Sequence, residues 1–360
     1  MKRIIELDVL RVLALLFVIF HHATWWFVDR YPVFFKDLQF FYLGDLGVSF
    51  FIILSGCALT ISGNKNYSLP TFYKKRFLSI IPSYWVAYLI ITILLFVING
   101  TFFQDFKLKK FAVTLLGLDG WLGTAGFNTY YRVGEWFTGF ILLVYAIAPL
   151  VIFLVRKRTV ISIVIFTIVS YLSIHFNDVV VQFLKVWSHN PFWNPTARLA
   201  EFSVGILLGI LILNNKIFNQ RFYFLLFSGI AAGLLLFLAH RYYDGLRYLY
   251  YISLFIFLFV IFNLIKTLVS HQTRLKSSLK EFIPALTFFS SLSFLAFLYH
   301  HQIILLLVQR LPLGSSQNVT LITYGLLICS VFCLSYFLAY ISLPLVNEVK
   351  RISKSILFGN

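Results

Sequence analysis

The first apolar stretch, residues 5–27 (IELDVLRVLALLFVIFHHATWWF), is long enough to cross a bilayer, yet it contains Asp8, Arg11, His21 and His22. Ionisable groups in a span are costly, so they usually face a protein interior or a wet cavity. On a helix, the eleven steps from Arg11 to His22 turn the chain about 20° past three full turns, so the two side chains share a face about 16 Å apart. Asp8 precedes Arg11 by three residues, a spacing that allows pairing. His21 points roughly 80° off that line. A guanidinium can hold phosphate oxygens, and an imidazole can take a proton from a hydroxyl. The alternative is bland: Arg11 snorkels to headgroups and the histidines bond neighbouring helices. The joint pattern of Asp8, Arg11 and His22 favours chemistry, with a guanidinium and a ring nitrogen looking into one polar shaft.

The elements that must position these groups are apolar helices. The 360 residues are 60% hydrophobic and 12% charged, with a mean hydropathy of +0.88. A soluble domain lacks the polar residues to cover so much apolar surface, so the fold class is an all-α integral membrane protein. The long, continuous runs exclude a membrane β-barrel. About ten transmembrane helices are predicted, at 7–28, 42–62, 78–98, 136–155, 159–175, 198–213, 221–239, 247–267, 286–308 and 321–345. The fifth and sixth are short enough to be tilted, broken or re-entrant. The predicted division is a membrane domain over 1–346 and a short basic cytoplasmic tail over 347–360.

The net charge of +17 does not indicate nucleic acid, because the cations sit in short clusters between apolar runs. With the N-terminus inside, roughly two-thirds of the 30 Lys and Arg fall on the inner side, which places both termini in the cytoplasm. No cleavable signal peptide is apparent. Cys57, Cys329 and Cys333 lie in apolar runs, so buried free thiols are expected, with no disulfide and no metal site. Two outer connections, Asn99 to Glu135 and Phe176 to Ala197, are long and aromatic, suited either to covering a cavity or to a headgroup-level belt.

Other residues extend the pattern. GDLGVSFFIILSG in the second span offers small residues for close packing, Ser55 among them. Lys74, Lys75 and Arg76 form a basic segment on the Arg11 side, readable as an orientation signal or as a phosphate site. Arg198 and Glu201 are spaced to pair. The ninth span carries His300 and His301. No P-loop, GxSxG, HExxH or CxxC occurs.

At these residues the chain resembles the acyltransferase 3 family of ten-helix membrane acyltransferases. LDVLRVLALLFVIFHHA is similar to that family's first-helix signature, an Arg followed after ten residues by a His, here Arg11 and His22. GVSFFIILSG, YKKRFLSIIPSYW, the spacing of Trp136, Tyr145 and Pro149, and SFLAFLYH ending at His300 resemble its later motifs. The WF at 136–137 is similar to the branch that O-acetylates bacterial surface glycans. Ile141 stands where many members carry a Glu, and Glu135 is not at the equivalent spacing. The C-terminal esterase-like domain of some members is not seen.

The resemblance implies an acyl-CoA donor, usually acetyl-CoA, offered from the cytoplasm, no bound cofactor, and a hydroxyl acceptor on a cell-envelope glycan or lipid-linked sugar. The expected location is the bacterial cytoplasmic membrane. Arg11 with Lys74, Lys75 and Arg76 is expected to hold the donor, His22 to act as base, and Asp8 to set Arg11. Trp136, Tyr145, Ser55 and His300 are expected to complete the pocket. A second reading is a transporter or flippase for a lipid-linked sugar or small anion, in which the same Arg and His line a path.

Overall fold

The computed structural model describes residues 3–26, 42–63, 68–100, 107–214, 247–270, 273–310 and 317–358, and for 266–270, 273–280 and 317–320 only the backbone. Twelve α-helices and no strand occur among the described residues: α1 Ile5–Trp25, α2 Leu43–Ser62, α3 Leu69–Asn99, α4 Leu108–Leu115, α5 Asp119–Thr124, α6 Glu135–Lys157, α7 Thr159–His175, α8 Asn177–Leu184, α9 Leu199–Leu213, α10 Arg247–Ser270, α11 Thr273–Val308 and α12 Gln317–Phe358. Eight of the described helices are long and apolar enough to cross a membrane. The predicted fifth span falls on α7, which meets α8 at 74°; taken together as one broken span, this pair brings the number to nine. The predicted span 221–239 lies outside the described residues.

Three helices outrun their predicted spans. α3 begins at Leu69 and so takes in Lys74–Arg76; α11 begins at Thr273. α12 continues to Phe358, so the segment expected as a basic tail is helical and continuous with the last span as far as the chain is described. Basic residues are good helix formers, and polar sequence alone does not end a helix. Pro82 lies inside α3.

α1 is central, packed against α2, α11, α12 and α10. Its Leu-rich sequence lacks Gly and Pro. α2 supplies the small residues that let backbones approach: a Cβ on Gly47 would strike the Ala14 carbonyl of α1, and one on Gly56 the Phe202 carbonyl of α9. Without a hydrophobic driving force between helices in lipid, such close van der Waals contact is what joins them.

The thiols divide. Cys57 is buried, whereas Cys329 and Cys333 are exposed on the outer face of α12, contrary to expectation. A thiol behaves as a small hydrophobe, so a span apolar all round can turn it outward without penalty.

Candidate active site

Two ends of the bundle carry polar groups. At one end, His22 of α1 meets Glu135 of α6 and His300 and His301 of α11. Glu135 Oε1 lies 3.0 Å from His22 Nδ1, 3.5 Å from His300 Nε2 and 3.8 Å from His301 Nδ1. The His22 ring stands edge-on to both His300 and His301. His300 is fully buried; its Nδ1 lies 2.5 Å from the Phe297 carbonyl, which can only accept, so Nδ1 carries hydrogen and Nε2 faces the carboxylate. His22, Glu135 and His300 each place one ligand atom within 4.8 Å of the others, so these three could also hold a metal ion.

Glu135 was missing from the expected site, and its position explains the cluster. It opens α6 with φ of 44°, a left-handed conformation rare for a residue with a side chain, directly after Gly134 at 74°. α5 pins this turn, because Gly120 sits so close to the Glu135 carbonyl that a Cβ would collide with it. Asp119, next in α5, accepts hydrogen bonds from the Tyr84 hydroxyl and from the Gly120 amide. Burial pushes the Asp119 carboxyl up to about 6. Burial also holds the Tyr131 hydroxyl well above its ordinary value, so it stays protonated, 3.4 Å from His301 Nδ1. In the sequence Glu135 carries only a weak signal, an acid at the edge of a span after a glycine. Ile141 is buried among apolar side chains.

His22, Glu135 and His301 line a cavity of about 1200 Å³, and both long connections contribute to its wall. Trp136 lines it too, stacked on Trp193 with ring centroids 5.1 Å apart. The second connection is anchored from within. The fully buried Arg198 donates through Nε to the Phe192 carbonyl (2.8 Å), and through Nη1 to Glu201 (2.8 Å) and Ser49 (3.0 Å). Its Nη2 reaches Asp45 at 3.3 Å. The expected Arg198–Glu201 pair is thus present, and its geometry ties α2, α9 and the cavity wall together.

The other end holds the remaining expected residues. Asp8 takes hydrogen bonds from Arg3 (2.5 Å) and Ser290 (2.6 Å), while Arg11 lies 3.4 Å from Asp8 and 3.0 Å from Ser290. Ser55 and Tyr145 share a hydrogen bond of 2.7 Å, with the Arg76 guanidinium 5.8 Å from the Tyr145 ring. Lys74, Lys75 and Arg76 do not converge. Because α3 is already helical there, successive side chains turn by about 100°. Lys74 meets Phe358, Lys75 is exposed and Arg76 turns inward.

Arg11 does not line the His22 cavity, so the single polar shaft expected from α1 is divided in this structure. Phe51, Phe137 and Phe297 pack together, with ring centroids 5.3–6.0 Å apart. Phe137 and Phe297 form the cavity floor, and on α1 the intervening Leu15, Val18 and Ile19 join the same apolar layer. Aromatic rings prefer such tilted and T-shaped contacts. Ser55 and Tyr145 lie beyond this partition, one or two turns further along α2 and α6.

A family model described as an acyltransferase domain fits residues 4–340. No curated protein and no solved structure matches the chain.

Proposed function

The chain belongs to the acyltransferase 3 family and is a multi-pass membrane acyltransferase, and from that premise we propose that it moves an acyl group, by preference acetyl, from acyl-CoA to a hydroxyl of a cell-envelope glycan or lipid-linked sugar. In this reading the Arg11 end faces the cytoplasm and receives the donor. The acceptor occupies the cavity at the His22 end, in the bacterial cytoplasmic membrane.

The observation that carries the proposal is the approach of His22 Nδ1 to Glu135 Oε1 at 3.0 Å beside the large cavity. A carboxylate on Nδ1 holds the ring in the tautomer whose Nε2 is a bare base. Nε2 takes the proton of the acceptor hydroxyl as its oxygen attacks the thioester carbonyl. The C–S bond then breaks, and the proton passes to the departing thiolate, giving the ester and free CoA. The buried setting strengthens the electrostatic hold of Glu135 on the imidazolium that forms. Arg11 supplies a cation for donor phosphates, with Asp8 and Ser290 orienting it. Trp136 and Trp193 offer apolar ring faces and Asp45 a hydrogen-bond acceptor, a mixture suited to a sugar.

The test is transfer of radiolabel from acetyl-CoA to envelope material in membranes holding wild type or His22→Ala at equal protein level. Label that reaches the glycan fraction in wild type and not in the variant is expected. Near-normal transfer by His22→Ala would overturn the role of the base.

A further inference from the structure

The start of α3 and the end of α12 border a second hollow, open to the surface and of about 550 Å³, at the Arg11 end of the bundle. Pro70, Thr71, Tyr73, Lys74, Phe77 and Phe358 line it. α12 is 42 residues long, about 63 Å at 1.5 Å per residue, roughly twice a bilayer's hydrocarbon thickness. Past Pro344 the helix turns basic, with Lys350, Arg351 and Lys354, and it delivers Phe358 to α3. There the Phe358 ring stands edge-on to Phe77, 5.9 Å between centroids. The Lys74 ammonium rests 5.0 Å from the centre of the same ring. The matched family segment ends at residue 340, so Phe358 comes from outside it.

An aromatic face beside an ammonium, in a hollow of small-molecule size, suits a purine carrying a phosphate. We propose that this hollow binds the nucleotide end of the acyl-CoA donor, with Phe358 stacking on the adenine and Lys74 holding the ribose 3′-phosphate. The proposal rests on the acyl-CoA reading above. An incoming phosphate is a stronger partner for Lys74 than a ring face, and taking the lysine frees that face for the base. An anionic lipid headgroup shares the phosphate chemistry but has no flat ring to stack, so Phe358 separates the two.

The experiment uses the full chain in phosphatidylcholine nanodiscs, with adenosine 3′,5′-bisphosphate as the probe. Wild type is expected to bind it, Phe358→Ala to bind it about tenfold more weakly, and Phe358→Trp to recover. In transfer assays the KM of Phe358→Ala for acetyl-CoA rises about tenfold. Its kcat is unchanged, as is its KM for acetyl-pantetheine, which lacks the nucleotide. Absence of probe binding to wild type overturns the proposal, as does equal binding by Phe358→Ala or an equal KM rise for both donors. Complete displacement of the probe by phosphatidylglycerol in the nanodisc assigns the site to a headgroup and likewise overturns it. Phe358-dependent binding by a wild type that transfers nothing from acetyl-CoA upholds the site and removes the acyl-CoA reading instead.

Discussion

Glu135 reaches His22 across the bundle, Oε1 to Nδ1 at 3.0 Å, from a left-handed turn that Gly134 and Gly120 together make possible. A non-glycine residue held at positive φ costs on the order of 1–3 kcal/mol, and such strain collects where a side chain must be aimed. Here the aim is at the ring nitrogen that the proposed chemistry does not use directly.

Glu135→Gln keeps the shape and removes the charge. The amide no longer selects the base tautomer of His22 or stabilises its cation. Initial rates should show kcat lower by about 10²–10⁴-fold, with the donor KM little changed. A kcat within twofold of wild type would remove Glu135 from the mechanism.

The same three groups suit an ion, so chelation is a separate question. As a base-and-carboxylate pair they need no metal, and dialysis of the purified protein against EDTA should leave transfer intact. Loss of activity restored by zinc would assign His22, Glu135 and His300 to a metal instead.

The Phe51–Phe137–Phe297 partition separates the two polar ends. In the proposed reaction the thioester passes it to reach His22, and the rings also keep water from the thioester when no acceptor is bound. Phe51→Ala should raise acceptor-independent hydrolysis of acetyl-CoA several-fold relative to transfer, measured by thiol release. An unchanged ratio would mean that the rings only fill space.

Asp119 makes stability depend on pH. Its folded carboxyl is raised from 3.8 to about 6, chiefly by burial, so the folded state binds its proton more tightly than the unfolded chain does. That contribution is fully present below the unfolded value and is lost as pH rises through about 6. The shift corresponds to a loss on the order of 3 kcal/mol by neutral pH. Asp119→Asn still accepts from Tyr84 and Gly120, so its Tm should match wild type near pH 4 and exceed it above pH 6. A parallel pair of Tm–pH curves would show that the carboxyl does not titrate in this window.

Much of the site was legible because it is local. Arg11 and His22 sit on one helix, so the helical period fixes their common face; Asp8 with Arg11, and Arg198 with Glu201, are three residues apart on the same principle. His300 stood out through the cost of an imidazole in a span. Glu135 did not, because an acid at a span's edge is ordinary until the packing of α5 turns it inward. Nor did the spread of Lys74, Lys75 and Arg76, whose adjacency in the chain becomes divergence once the segment is helical.

Hydropathy and the helical period, both properties of short segments, determined that this chain is a bundle of membrane helices with a cation and an imidazole on one face of the first. Only the tertiary structure decided that His22 meets Glu135, that three phenylalanines part it from Arg11, and that Phe358 returns to Lys74. In lipid a helix gains little from hiding its apolar side, so hydropathy leaves open how each helix is rotated against its neighbours. That rotation is set by close backbone approach at residues such as Gly47, Gly56 and Gly120, and it selects which distant side chains meet.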